Sequence, residues 1–162
     1  AHLFITHSAT DEGLDYWHWL QREARLMHVD MQLIDYLVDV RRRMDDGHKI
    51  YSLWDAYIHA DLVTYPSLYE GFGNALLEAI YFRKLTVVNR YPVYNADIRP
   101  LGFEFVELDG YVDDRAVEEV KALLRDPAEV ARRAEKNYEL ARQHFSFSTL
   151  EKKLRAILAD FQ

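Results

Sequence analysis

Short apolar runs rich in β-branched residues alternate along this chain with stretches whose apolar residues recur at helical spacing, and that alternation restricts the fold more than any other feature. The strand-like runs are HLFITH (2–7), a short run at 31–34, DLVTY (61–65), LTVVN (85–89) and FEFVEL (103–108). Between them, Leu14, Trp17, Leu20, Ala24 and Met27 mark one helix, and Ile50, Leu53, Trp54, Tyr57 and Ile58 mark a second over 49–60. A third is predicted over 74–82. The chain after 108 reads as helical: Val117, Val120 and Leu124 mark one helix, Pro127 opens the next with Val130, Ala134, Tyr138 and Ala141, and Leu150, Leu154, Ile157, Leu158 and Phe161 mark the last. Strands joined through helices imply right-handed crossovers, so the expected fold is α/β, a parallel sheet with helices on both faces. Ligands in such folds bind beyond the carboxyl ends of the strands.

With 162 residues and 49% apolar content, one domain over 1–162 is expected, its final helices from about 127 onward packed against the rest. A net charge of -7 repels polyanions, so nucleic acid is not an expected partner. The basic cluster Arg41, Arg42 and Arg43, followed by Asp45 and Asp46, reads as a solvated turn or a local anion site. Cysteine is absent, which rules out disulfides and thiolate metal sites. No apolar stretch approaches the ~20 residues of a membrane span, and a cytoplasmic location is expected. The abrupt opening AHLFITH reads as a buried strand of something longer.

The segment YPSLYEGFGNALLEAI (65–80) sets Glu70 and Glu78 on either side of a glycine-rich turn that follows a strand. Gly71 and Gly73 let the backbone turn sharply and approach a ligand closely. Amides from Phe72 to Ala75 lie at the start of a helix, where a phosphate or sugar hydroxyl is well received. From Ala75 to Phe82 that helix is apolar except at Glu78, whose carboxylate needs water, a cation or hydroxyl donors; the paired hydroxyls of a ribose would serve, or the acid simply answers the helix dipole. Glu70, just before the turn, is placed to accept from sugar hydroxyls or to face positive charge during bond cleavage.

The elements Pro66-Ser67, Glu70-Gly71-Phe72-Gly73 and Leu77-Glu78-Ala79 together resemble the signature of the retaining GT-B glycosyltransferases of family 4, also called group 1. The aromatic-rich helix before it, LTVVN after it and the terminal HFSFSTLEKKLRAIL resemble that family too. The resemblance implies a Rossmann-like domain, the C-terminal half of a GT-B fold beginning after its first strand, with the N-terminal acceptor-binding domain outside this chain. It implies a donor such as a UDP-, GDP- or ADP-hexose and transfer with retention of anomeric configuration, with no cofactor or metal. By position, Glu70 would contact the hexose and stabilise an oxocarbenium-like transition state, and Glu78 would hold the ribose. The amides of Gly71, Phe72, Gly73, Asn74 and Ala75 would hold the sugar hydroxyls and the diphosphate. Members of that family usually open this domain with a strand followed by an Arg and a Lys that grip the diphosphate, and the resemblance implies that this chain starts beyond that point, without both cations; the small-residue turn usual after the following strand is replaced by Arg90-Tyr91-Pro92-Val93-Tyr94-Asn95-Ala96-Asp97.

Outside the motif, Arg90 ends a strand and is a candidate phosphate partner. His7 and Ser8 also end a strand, as ligand contacts or as a hydrogen-bonded loop. Trp17, Trp19 and Trp54 read as core and helix packing. The seven histidines form no zinc-protease pattern, no Asp-x-Asp occurs, and GFGNAL lacks the third glycine of a dinucleotide fingerprint. Transferring a hexose as part of a larger enzyme is the leading expectation, with this segment inactive alone. A non-catalytic nucleotide-binding or interaction module of the same fold is the alternative, and a phosphorylase or sugar-nucleotide epimerase of the wider GT-B group is a third.

Overall fold

The computed structural model describes residues 2–6 and 14–159. They form two compact units, residues 1–59 and 60–162.

In the first unit, β1 (His2–Ile5) and β2 (Asp30–Leu33) pair in parallel around α1 (Leu14–Leu26). Leu3 and Phe4, read as part of a buried strand, are exposed: this sheet has two strands among the described residues, so one pairing cannot cover both faces. Trp19 stacks on Tyr16 at 5.8 Å with both rings exposed, and Trp54 is exposed too, so only Trp17 of the three tryptophans is even half-buried.

A second small sheet, β3 (Val38–Asp39), β5 (His48–Ser52) and β4 (Arg43–Asp45), replaces the expected arginine turn and the first part of the expected helix at 49–60. Strands β4 and β5 are antiparallel, joined by Asp46 (φ 45°) and Gly47 (φ 80°), the Asp-Gly pair that a two-residue hairpin requires. Helix α2 is confined to Leu53–His59, and the Asp55 carboxylate in its first turn reaches back to Ser52, accepting from the Ser52 N–H and hydroxyl, each at 2.9 Å. Arg42 pairs with the same carboxylate, and Arg43 with Asp39 and Asp45, so two of the three arginines are already neutralised.

The second unit is the expected Rossmann-like arrangement. Strands β6 (Leu62–Tyr65), β7 (Leu85–Asn89) and β8 (Val106–Leu108) lie parallel in that order, with α3 (Asn74–Tyr81) crossing from β6 to β7. All five residues of β7 are buried, as a central strand covered on both faces demands. On one face Val88 packs with Leu76 and Ile80 of α3 and with Tyr138, Ala141 and Phe145 of α5 (Pro127–Phe145). On the other, Leu85 and Val87 meet Ala116 and Leu123 of α4 (Asp114–Leu124). Asp113 and Asp126 cap α4 and α5 through the Ala116 and Glu129 amides at 2.8 and 3.0 Å. A last helix, α6 (Phe147–Ala159), carries Leu150, Leu154, Ile157 and Leu158 on an exposed face. Among the described residues no helix is long and apolar enough to cross a membrane.

The strand expected over 103–108 narrows to Val106–Leu108. Buried Asn137 of α5 accepts from the Glu104 N–H at 2.7 Å and donates to its carbonyl at 3.1 Å, supplying what a neighbouring strand would have supplied. Phe103 and Phe105 meanwhile stack in the core at 5.5 Å. The segment after β7 folds into a π-helical turn, Tyr94–Ile98, with both end residues buried, then a tight turn, Arg99–Leu101, closed by Gly102.

Candidate donor-binding site

Pro66 ends β6, since it cannot continue the hydrogen-bond ladder, and the chain turns at the carboxyl edge of the sheet where ligands of such folds bind. Buried Asn89, last residue of β7, organises that edge. Its Nδ2 donates to the Ser67 carbonyl at 3.1 Å, and its Oδ1 accepts from the Gly110 N–H at 2.7 Å, so the loops after β6 and β8 are tied to the central strand.

Gly73 caps α3 with φ 97° and ψ 74°, left-handed backbone that favours glycine, and no side chain caps the helix. Space forbids a side chain as well: a Cβ there would sit 2.9 Å from the hydroxyl oxygens of both Tyr65 and Tyr91. Gly71 differs, because a Cβ on it would meet nothing within 4 Å. The turn is held from below by the Tyr91 hydroxyl, which donates to the Phe72 carbonyl at 2.7 Å, while the Phe72 ring packs edge-on against Phe145 at 5.0 Å.

Glu70 is half-buried beside these two phenols. Burial pushes the Tyr65 phenol well above its ordinary value, and the neighbouring Glu70 carboxylate adds to the shift by hydrogen bonding and by charge. Burial likewise raises Tyr91 to about 12, with the Glu70 charge contributing. Both phenols therefore stay protonated and remain donors across the working pH range. Glu78 lies one turn into α3, half-buried, and among the described residues no side chain forms an ion pair with it. Its backbone carbonyl accepts the Phe82 N–H that closes the helix, at 3.0 Å.

The structure thus brings Glu70, Gly71, Phe72, Gly73, Asn74 and Ala75 together at one strand end, with Glu78 on the following turn of helix. Arg90 stands at the next strand end, and its guanidinium is engaged: Nε donates to Glu107 at 2.8 Å, and Asp109 lies 3.7 Å away. Glu107 also accepts from the Tyr94 hydroxyl at 2.7 Å and from Arg99 at 3.2 Å. Burial alone would push this carboxyl up, but the hydrogen bonds from Tyr94 and Arg90 and the charges of Arg99 and Arg90 outweigh it, holding it below the usual carboxylate range. His7 and Ser8 lie outside the described residues. Among the described residues, no three His, Asp or Glu side chains converge in a way that could hold a metal ion.

Sequence reading missed Tyr65, Tyr91 and Asn89. Their roles depend on partners 5 to 26 positions away, and only the strand-end positions of Tyr65 and Asn89 carried any signal.

The family model described as Glycosyl transferases group 1 matches residues 47–140. The mannosylglucosylglycerate synthase of Petrotoga mobilis is 41% identical, the match covering 67% of this chain and 25% of that protein. The protein of the same name from Thermotoga maritima is 42% identical, over 60% of this chain and 26% of its own. The chain spans about a quarter of the length of the curated relatives it matches. No solved structure matches.

Proposed function

The chain belongs to the group 1 glycosyl transferases, and from that premise we propose that it binds the nucleotide-sugar donor in a retaining transferase that moves a hexose from a nucleoside diphosphate to an acceptor. The observation that carries this reading is the turn at the end of β6, where two acids bracket a left-handed glycine and the first amides of α3. Glu70 faces the hexose and stabilises the positive charge that develops as the glycosidic bond breaks. Glu78 accepts from the ribose hydroxyls. The amides of residues 71–75 hold sugar hydroxyls and diphosphate oxygens. Arg90 would have to give up its half-buried pairing with Glu107 to meet a phosphate, an unfavourable exchange, so the amides carry that contact here.

The relatives' name describes a mannosyl unit joined to a glucosylglycerate, which makes a mannosyl donor and a glucosylglycerate acceptor the first pair to try. The acceptor is met by another part of the whole protein, and a cytoplasmic location is part of the same proposal. Thermal melting of the full-length protein with UDP, GDP and ADP, then with GDP-mannose and UDP-glucose, tests it. A ligand at 100 times its Kd adds about 2.7 kcal/mol of stability. One nucleotide raising Tm, with sugar release or transfer from its hexose conjugate, is the expected result. A nucleotide that binds without turnover would point to a non-catalytic module, and no shift with any would overturn donor binding.

A further inference from the structure

The bulky segment after β7 sends one side chain back to the donor turn. Tyr91 is fully buried, its ring meets Tyr65 edge-on at 6.2 Å, and its hydroxyl donates to the Phe72 carbonyl at 2.7 Å. The peptide joining Phe72 to Gly73 is planar and trans, so its N–H points opposite to its C=O. Holding the carbonyl toward Tyr91 therefore aims the Gly73 N–H away from the core. Gly73 is buried, yet among the described residues no acceptor meets that N–H. Buried backbone donors are rarely left without a partner, and one beside the start of a helix is suited to an anion or a sugar oxygen. Without the latch, glycine at this position could let the peptide rotate at little cost.

We propose that Tyr91 is a positioning residue, its hydroxyl fixing the Phe72–Gly73 peptide so that the Gly73 N–H is presented as a donor to the diphosphate-linked sugar. The inference rests on reading this turn as the donor site. It gives the Arg90–Asp97 segment a function: the π-helical turn, anchored by buried Tyr94 and Ile98, keeps Tyr91 under the turn.

The test uses the full-length protein, its Tyr91→Phe variant, the probes GDP-mannose, UDP-glucose and ADP-glucose, and the matching nucleoside monophosphates. For the sugar nucleotide that binds the wild type, the variant should raise Kd about tenfold, the loss of one hydrogen bond to a charged group. Its Kd for the monophosphate should stay within about twofold. Equal weakening of both ligands would make Tyr91 a structural residue only, and no weakening of either would remove the latch; each overturns the inference while leaving donor binding intact. If the wild type binds none of the probes, the donor reading fails and the latch falls with it. Should the variant not fold, the wild type labelled with 15N-glycine gives the answer: the Gly73 amide resonance should move on adding the sugar nucleotide and much less with the monophosphate, and an unmoved resonance would overturn the assignment.

Discussion

Asn89 donates to the Ser67 carbonyl across 3.1 Å, tying the end of the central strand to the start of the turn that holds Glu70. The pairing spans 22 positions and is buried, so the turn is positioned by the sheet and not by its own loop sequence. Asn89→Ala should leave the Ser67 carbonyl and the Gly110 N–H without partners, costing about 2–4 kcal/mol if each lost partner costs 1–2. Urea unfolding at pH 7 measures this, and a change under 0.5 kcal/mol would mean that the loops hold themselves.

If the proposed transfer holds, Glu70→Ala in the full-length protein should lower kcat by about 10²–10³-fold with a much smaller change in donor affinity, because the lost interaction develops only as charge does. Normal kcat would refute the assignment.

Glu78→Ala should do the reverse, weakening donor binding by about 10–100-fold while kcat at saturating donor changes little. Comparing Kd for the nucleotide with Kd for its 2′,3′-dideoxy form in wild type and variant isolates the ribose contribution. If wild type does not distinguish the two forms, Glu78 does not hold the ribose.

Gly73→Ala meets two penalties at once. Left-handed backbone costs an L-residue about 1–2 kcal/mol, and the new methyl would lie 2.9 Å from two phenolic oxygens. A loss of roughly 2–4 kcal/mol is expected. Gly71→Ala, where the methyl meets nothing, should cost under about 1 kcal/mol. Equal losses at the two positions would contradict the packing around the turn.

Glu107 sets a pH dependence. Its folded carboxyl is held below the usual range, so the stability it contributes is fully present above the unfolded value of about 4.3 and is lost as pH falls through the folded value. Glu107→Gln should therefore be less stable than wild type at pH 7, with the difference shrinking toward pH 3. Denaturant unfolding at pH 7, 5 and 3 checks this; a difference that grows on acidification would reverse the sign.

Much of the second unit could be read from local pattern. LTVVN is a strand over 85–89 with the stated ends, because four consecutive apolar or β-branched residues, Leu85 to Val88, fit a strand covered on both faces, and Asn89 closes it. Asn74 opens α3 where the glycine turn leaves off. The first unit was partly legible and misread: Ile50, Leu53, Trp54, Tyr57 and Ile58 match a helical stripe, yet Asp46-Gly47 and Ser52-x-x-Asp55 already mark a hairpin and a later helix start. Periodicity outweighed those shorter signals. FEFVEL is different, since nothing near Glu104 announces that Asn137 will occupy its backbone groups from 33 positions away.

In the second unit the sequence by itself determined the order of strands and helices, the place of the turn and the two acids bracketing it, because these follow from side-chain spacing within a few residues. Tertiary structure decided which groups steady that turn. Tyr65 and Tyr91 close on Gly73, and Asn89 on Ser67, only after the parallel strands align, since a hydrogen bond between distant positions exists only when the intervening chain has been ordered.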